Sequence, residues 1–599
     1  MRSAFLRLRD PGQRGLGLLV LGLVLAAALY APTLGRGLTN YDDPWLYEDN
    51  ALLRHPSLAT VRTVFADLDL PNRFTLGAEY LPVRDLSVMT DVEVWGDRYG
   101  GFHATNVALY LAAIALWFWA LVAFGVPREL AGLALLIWAI HPVHVESVAW
   151  LAERKGVLGA MWSGACALGY AKFRTTGRAR WLVLAAASGV AAVWSKAIAA
   201  FAVAALVPIE WLVRGAVPVV PVRRSVRGLA VIGATAGLAF IPVVVVATRL
   251  GIVGAGSPVS RPIAVLGAHG FYLRLVAGAV ANAVSYPIGS VGPSAFEVAL
   301  GAAGFVAIAL VFLPRWSGRA WALPLRLAAV LWLAGWLPVG HLVLPIQQVF
   351  VADRYMLWSS LGAALALAVG IAELARRFPR LRGLAIAAVV VAFGVRAYVA
   401  QSAWSTNVAL WERAVAANPS DPNAWANEVE ALDAAGRTGE AARLAGEALS
   451  HVRSPRLVMH AGLAALADNR PTDGLALMTE AAAGGEPRAM ANLANLLATA
   501  GQLRQALLWA RLATMVAPGY ANGFRILGKV ARLIDQHSSE SRGAFARAYD
   551  LEPANPANRY NLGIALADAG DRDRARALLE SCLGDRSVAR LARIALDHL

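Results

Sequence analysis

The sequence predicts an all-α protein in two parts, a polytopic helical membrane domain over residues 1–402 and an α-helical solenoid over residues 403–599. Three observations predict it. Of the 599 residues, 58% are hydrophobic and 16% charged, against roughly 25% charged in soluble folds, and mean hydropathy is +0.52. Apolar runs near the ~20 residues that cross a ~30 Å hydrocarbon layer recur from Leu16 to about Ala400 and stop beyond Ser402. From about Trp404 short amphipathic segments with evenly spaced turns replace them.

Eleven runs qualify as spans: 15–35, 103–124, 128–146, 156–172, 180–194, 197–213, 228–248, 297–313, 325–344, 355–374 and 383–400. Basic clusters fall between them at Arg2, Arg7, Arg9 and Arg14, at Lys172 to Arg180, at Arg214 to Arg227, at Arg315 and Arg319, and at Arg376 to Arg382. With eleven spans all five clusters share the side of the N-terminus, as the positive-inside rule demands of the cytoplasm. A twelfth span at 263–287 would move two clusters outside, so this segment is expected in the outer interface. The net charge of +15 is thus a topology signal, and no nucleic acid partner is expected.

The same topology puts the loop 36–102 outside, where six arginines face eleven acids for a net charge of −5, and a loop of that length is expected to fold. It also puts the C-terminal third outside. Four lysines in the whole chain and abundant alanine and arginine suggest a bacterium. The expected location is the inner membrane, with the N-terminus cytoplasmic and the solenoid periplasmic. The first run is too long for a cleaved leader and lacks a small-residue cleavage motif, so it is expected to stay as an anchor. Cys166 and Cys582 support neither a disulfide framework nor a multi-cysteine metal site.

In the soluble third, the turns at Gly436, Gly501 and Gly570 are spaced by two periods of about 34 residues, with Asn469 and His537 near the intermediate positions. Helix, turn and helix at that period means tetratricopeptide repeats, four to five of them. Their concave face suits a peptide or protein partner; a plain spacer is the other reading.

Cations on the outer side run against the positive-inside bias and need a reason. Arg154, Lys155, Lys196, Arg274 and Arg354 each lie near the outer end of a span, at the depth of a lipid phosphate. Singly, each could snorkel to lipid headgroups; converging, they would hold a phosphate leaving group. Asp42 and Asp43 follow the first span closely. They read either as a solvated turn or as a base or ligand at the mouth of a membrane cavity. His141-Pro142-Val143-His144-Val145-Glu146 ends the third span. Its proline breaks the helix that would align a metal set, so a polar substrate-binding loop is preferred and no metal is expected.

In order and spacing these features resemble the transmembrane and tetratricopeptide-repeat O-mannosyltransferases and their bacterial relatives. The resemblance runs from Asp42-Asp43 through Tyr80-Leu81-Pro82-Val83-Arg84-Asp85 and His103-Ala104-Thr105-Asn106 to His141 through Val148, Arg154-Lys155, Ser195-Lys196 and Asp353-Arg354-Tyr355. The chain departs where Leu81 stands in place of an arginine and where Ala197 follows Lys196 in place of a glutamate.

The resemblance implies a GT-C-type glycosyltransferase fold and a polyprenyl-phosphate sugar as donor, with no other cofactor and no metal. It implies Asp42, or Asp43 next to it, as the base. Arg154, Lys155, Lys196 and Arg354 are expected on the donor phosphate. His141, His144, Glu146, His103 and Arg84 are expected to position substrate. The expected activity is inverting transfer of mannose or another hexose to a hydroxyl of a protein or glycan. The alternative from a different class is a membrane-anchored repeat scaffold for envelope or polysaccharide-export assembly without catalysis.

Overall fold

Runs rich in alanine, leucine and valine form helix over most of each of the eleven apolar segments. The computed structural model describes residues 11–48, 50–215, 220–250, 261–343, 349–553 and 555–599; Arg2, Arg7 and Arg9 lie outside them. The chain divides into two compact units, Met1–Asn418 and Pro419–Leu599.

Among the described residues, five helices are long and apolar enough to cross a membrane: Gly12–Gly35, Tyr99–Ala123, Val222–Arg249, Ser359–Arg377 and Leu381–Ala403. A sixth is reached if Arg128–Ala139 and Pro142–Ala149, bent by 57°, count as one broken span. Of the eleven expected spans, five or six among the described residues thus meet the length and hydropathy of a crossing on their own. Ala179–Ser195, Ala295–Val311 and Ala322–Trp336 have 17, 17 and 15 residues. At ~1.5 Å per residue they reach about 22–26 Å, short of a ~30 Å layer. Ala199–Ala204 and Leu206–Val213 are two pieces, and Arg154–Thr176 carries four basic residues.

Glycines bring several of these helices into backbone contact. A Cβ on Gly270 or Gly301 would come within 1.9 Å of a carbonyl oxygen of the facing helix, and one on Gly362 within 2.4 Å of the Ala328 oxygen. Small residues at such crossings are how helices pack where lipid offers no hydrophobic drive. Between residues 261 and 287 the helix Arg261–Val276 packs beside Ala295–Val311, with Trp332 Nε1 donating to His269 Nε2.

The loop 36–98 is folded. It holds the helices Ala51–Arg54, Leu58–Ala66, Leu70–Thr75 and Pro82–Trp95, the first two capped by Asn50 and Ser57 side chains. Buried Arg73 donates to the Thr63 and Val64 carbonyls and fastens the second of them.

The helix Asn407–Ala417, expected to begin the repeats, belongs to the first unit, so the boundary expected at 402 moves to 418. The physical reason is its partners. Trp411 Nε1 donates to Asn40 Oδ1 at 2.7 Å, the Asn40 N–H donates to Asn407 Oδ1 at 2.9 Å, and Arg413 donates to the Asn282 carbonyl at 2.9 Å.

The second unit stacks helix pairs whose first helices begin at Pro422, Pro455, Pro487, Ala521 and Pro556, at the 32- to 35-residue spacing of tetratricopeptide repeats. Asp421, Ser454, Glu486 and Asn555 cap helices whose first residue is proline. Gly436, Asn469, Gly501 and Gly570 make the turns with φ of 74°, 57°, 78° and 81°, a left-handed conformation that glycine and asparagine tolerate. His537 is not among the positive-φ residues; the fourth pair turns through Asp535 to Ser538, whose hydroxyl caps the next helix.

Candidate functional site

Asp42 and Asp43 are neighbours with different surroundings. Asp43 is buried, and both its oxygens are used. Oδ2 accepts from the Thr39 N–H at 2.9 Å and the Thr39 hydroxyl at 2.7 Å, and Oδ1 accepts from the Ala152 N–H at 2.8 Å. It ties the first loop to the segment ahead of Arg154. Burial pushes its carboxyl up to about 6, against the hydrogen bonds from Thr39 and Ala152 that pull it down. Asp42 is only part-buried. Burial also raises its carboxyl above the ordinary range; Lys155 and then Arg354 oppose that rise, while Glu79 and Glu153 add to it.

Around Asp42 the charges form a connected set. Lys155 Nζ lies 2.6 Å from Glu79 Oε2. Lys196 Nζ donates to both oxygens of Glu153, at 2.7 and 3.0 Å. Arg354 pairs with Glu146 and has its Nε 3.9 Å from Glu153 Oε1. Its guanidinium lies over the Trp150 and Tyr355 rings, 5.7 and 5.2 Å from their centroids. Tyr41 stacks on Trp150 at 4.6 Å and meets Trp411 edge-on at 5.3 Å. Burial lowers the Lys196 ammonium, with Glu153 opposing. Burial alone would raise Glu79, but Lys155 and Arg84 outweigh it and hold its carboxyl below the usual range.

Local structure places these groups. Glu153 ends the turn Leu151–Glu153, Lys155 lies in the first turn of Arg154–Thr176, Lys196 sits in the break between Ala179–Ser195 and Ala199–Ala204, and Arg354 is in the turn Asp353–Met356. That last turn is anchored by Asp353, which accepts from the Tyr286 hydroxyl and from Asn282 Nδ2 at 2.7 Å. Burial and then the Glu146 charge raise the Asp353 carboxyl.

Of the sequence-selected residues, the structure brings together Asp42, Lys155, Lys196, Arg354 and Glu146. It does not bring Arg154 to them. Arg154 is buried against Asp91 at 2.6 Å, Asn106 Oδ1 at 2.7 Å and the Phe102 carbonyl at 2.8 Å. Successive helix residues point about 100° apart, so Arg154 and Lys155 face different neighbours. Arg274 pairs with Glu297 at 2.7 Å.

The remaining residues are engaged with protein groups. Arg84 pairs with Asp85 at 2.6 Å and reaches Glu79 at 3.5 Å, at the edge of the charged set. His103 Nε2 lies 3.4 Å from the Gly37 carbonyl oxygen. His141 Nε2 lies 3.0 Å from the Val276 carbonyl oxygen, and His144 is held between the Tyr110 hydroxyl and Ser360 Oγ, each at 2.7 Å. Among the described residues, no three histidine, cysteine or acidic side chains are grouped to hold a metal ion.

Sequence reasoning missed Glu79, Glu153, Trp150, Tyr355 and Trp411. The run Glu153-Arg154-Lys155 at a span end was the available signal for Glu153, and Tyr355 follows Arg354 directly.

No protein-family model matches the chain, and no curated protein matches it. Among solved structures it is similar to YrrB, a tetratricopeptide-repeat protein with an unusual peptide-binding site, at 18% identity over 31% of this chain and 96% of that one (TM-score 0.25). It is similar to the Archaeoglobus fulgidus oligosaccharyltransferase in the apo form at 14% identity over 65% of this chain and 56% of that one (TM-score 0.36). It is also similar to yeast Tom70 at 14% identity over 81% and 96% (TM-score 0.26). TM-scores this low carry no argument, so the functional reading rests on the side chains.

Proposed function

We propose that this is an integral membrane glycosyltransferase of GT-C type, which moves mannose or another hexose from a polyprenyl phosphate to a hydroxyl of a protein or glycan, with inversion. The observation that carries the reading is a part-exposed carboxylate, Asp42, within the electrostatic reach of Lys155 and Arg354 while its neighbour Asp43 is fully committed to structure.

In this reading Asp42 accepts the proton of the acceptor hydroxyl, whose oxygen bonds to the anomeric carbon as the bond from that carbon to the phosphate oxygen breaks. The phosphate leaves with the electron pair. Lys155 and Arg354 meet its charge, the latter over the Trp150 ring, and Lys196 braces Glu153 behind them. Glu146 keeps Arg354 aimed. The repeats present the acceptor, and the assembly sits in a bacterial inner membrane with this site and the repeats on the periplasmic side.

The test is transfer of labelled sugar from a polyprenyl-phosphate donor by the purified full-length protein. Turnover supports the reading. No turnover with any lipid-phosphate sugar overturns it and favours the scaffold, to which the repeat unit is equally suited.

A further inference from the structure

An apolar trough of about 710 Å³ opens among Ala295–Val311, Ala322–Trp336, Ser359–Arg377 and Leu381–Ala403. Small residues carve it: Gly304, Ala307, Ala328, Gly362, Ala363 and Ala392. Its two side chains with polar atoms, His141 and Trp332, are bonded to the Val276 carbonyl and to His269. The lining therefore offers hydrocarbon contact and no polar side-chain partner.

One end of the trough is lined by Val311 and Leu325. Leu325 is one helical turn beyond Trp321, which lines a second pocket of about 520 Å³ together with Gly318, Arg319, Glu373, Arg376 and Arg377. Arg376 pairs with Glu373 at 3.0 Å. The Arg319 and Arg377 side chains make no ion pair among the described residues, which leaves the pocket with three cations against one anion. A hydrocarbon trough ending beside free guanidinium groups is complementary to one ligand class, a lipid with an anionic headgroup.

We propose that trough and pocket together bind one anionic phospholipid, its phosphate at Arg319 and Arg377 and a chain along the trough. This rests on the membrane part of the reading above and not on the transferase part. Asp42, Lys155, Lys196 and Arg354 line no part of the trough, so the cations offered to this phosphate, Arg319 and Arg377, are separate from those around Asp42. At the far end His141 and Phe393 pack at 4.6 Å.

The test uses full-length protein purified in detergent, with phosphatidylglycerol or phosphatidylcholine of identical chains added, read by thermal melting and by native mass spectrometry. Phosphatidylglycerol is expected to raise Tm by several degrees more than phosphatidylcholine and to stay bound. Arg319→Gln with Arg377→Gln is expected to erase that preference, and Ala307→Phe, at an exposed position on the trough wall, to weaken both lipids. Equal effects of the two lipids on the wild type would overturn the proposal. So would an undiminished preference in the double variant, the same shift from inorganic phosphate, or one-for-one displacement by a polyprenyl phosphate. Protein that purifies from the aqueous fraction without detergent would instead overturn the membrane reading itself.

Discussion

The two units handle charge in opposite ways. In the repeat unit pairs such as Arg453 with Glu480 and Arg511 with Glu540 lie on the surface, each side chain 35–55% exposed. In the first unit Arg84 with Asp85, Arg154 with Asp91 and Arg174 with Glu210 are at most 5% exposed. Exposed pairs contribute about 0–1 kcal/mol and are easily replaced. Buried pairs cost desolvation that their attraction often fails to recover, so they are poor devices for stability alone. The comparison teaches where to look for purpose. Some buried pairs, such as Arg154 with Asp91, brace the architecture, whereas those of Lys196 and Arg354, together with the more exposed pair of Lys155 and Glu79, are grouped near the part-exposed Asp42.

The sharpest way to break that distinction is to remove one partner from each kind of pair. Arg354→Met leaves Glu146 buried and unpaired and is expected to cost about 3–5 kcal/mol of stability. Adding Glu146→Gln should restore the melting temperature without restoring sugar transfer. Arg154→Met should cost as much, but there the second substitution, Asp91→Asn, should recover both stability and transfer. Recovery of transfer in the Arg354 pair would place it with the architectural ones.

Asp43 supplies the next effect. Its carboxyl sits at about 6 in the fold against 3.8 for an unperturbed aspartate, so between about pH 4 and pH 6 the folded chain holds a proton that the unfolded chain has released. Stability should therefore fall as pH rises through that window, by about 3 kcal/mol from this group, and Asp43→Asn should flatten the slope in melts taken across it. Asp42 has the opposite consequence for activity. A base must be ionised, so transfer should fail as pH drops through a value above the ordinary aspartate range.

A smaller effect is expected at Trp411, whose indole holds Asn40 two residues from Asp42. Trp411→Phe removes one hydrogen bond of about 1 kcal/mol and should lower kcat several-fold with KM unchanged. Smallest of all, Arg511→Ala in the repeats should shift stability by less than about 1 kcal/mol and leave transfer untouched.

Much of this was legible in the chain. Lysines and arginines at the outer ends of apolar runs contradict the bilayer's charge bias, and that contradiction selected Lys155, Lys196 and Arg354 without any coordinates. The repeat turns were legible because glycine and asparagine mark left-handed φ. Glu79 and Glu153 were not, because an acid in an outer loop obeys the same bias and looks solvated until its partner is seen. That Arg154 and Lys155 face different partners was not legible either, because adjacency in sequence does not survive the 100° turn between helix residues. The partners of the helix Asn407–Ala417 were not legible, because its amphipathic pattern states that one face is buried and not against what. The length of each helix was not legible for a related reason: an apolar run shows burial in something greasy, and it does not show where inside that run the helix starts and stops.

The division of labour between the two adjacent aspartates is the claim on which the account stands, and one crossed measurement tests it directly. Transfer rate and melting temperature are measured for Asp42→Asn and Asp43→Asn in the full-length protein. The account predicts that Asp42→Asn loses about 10²–10⁴-fold in kcat while melting no lower than wild type, and that Asp43→Asn shows its main change in stability. Wild-type turnover by Asp42→Asn would contradict it.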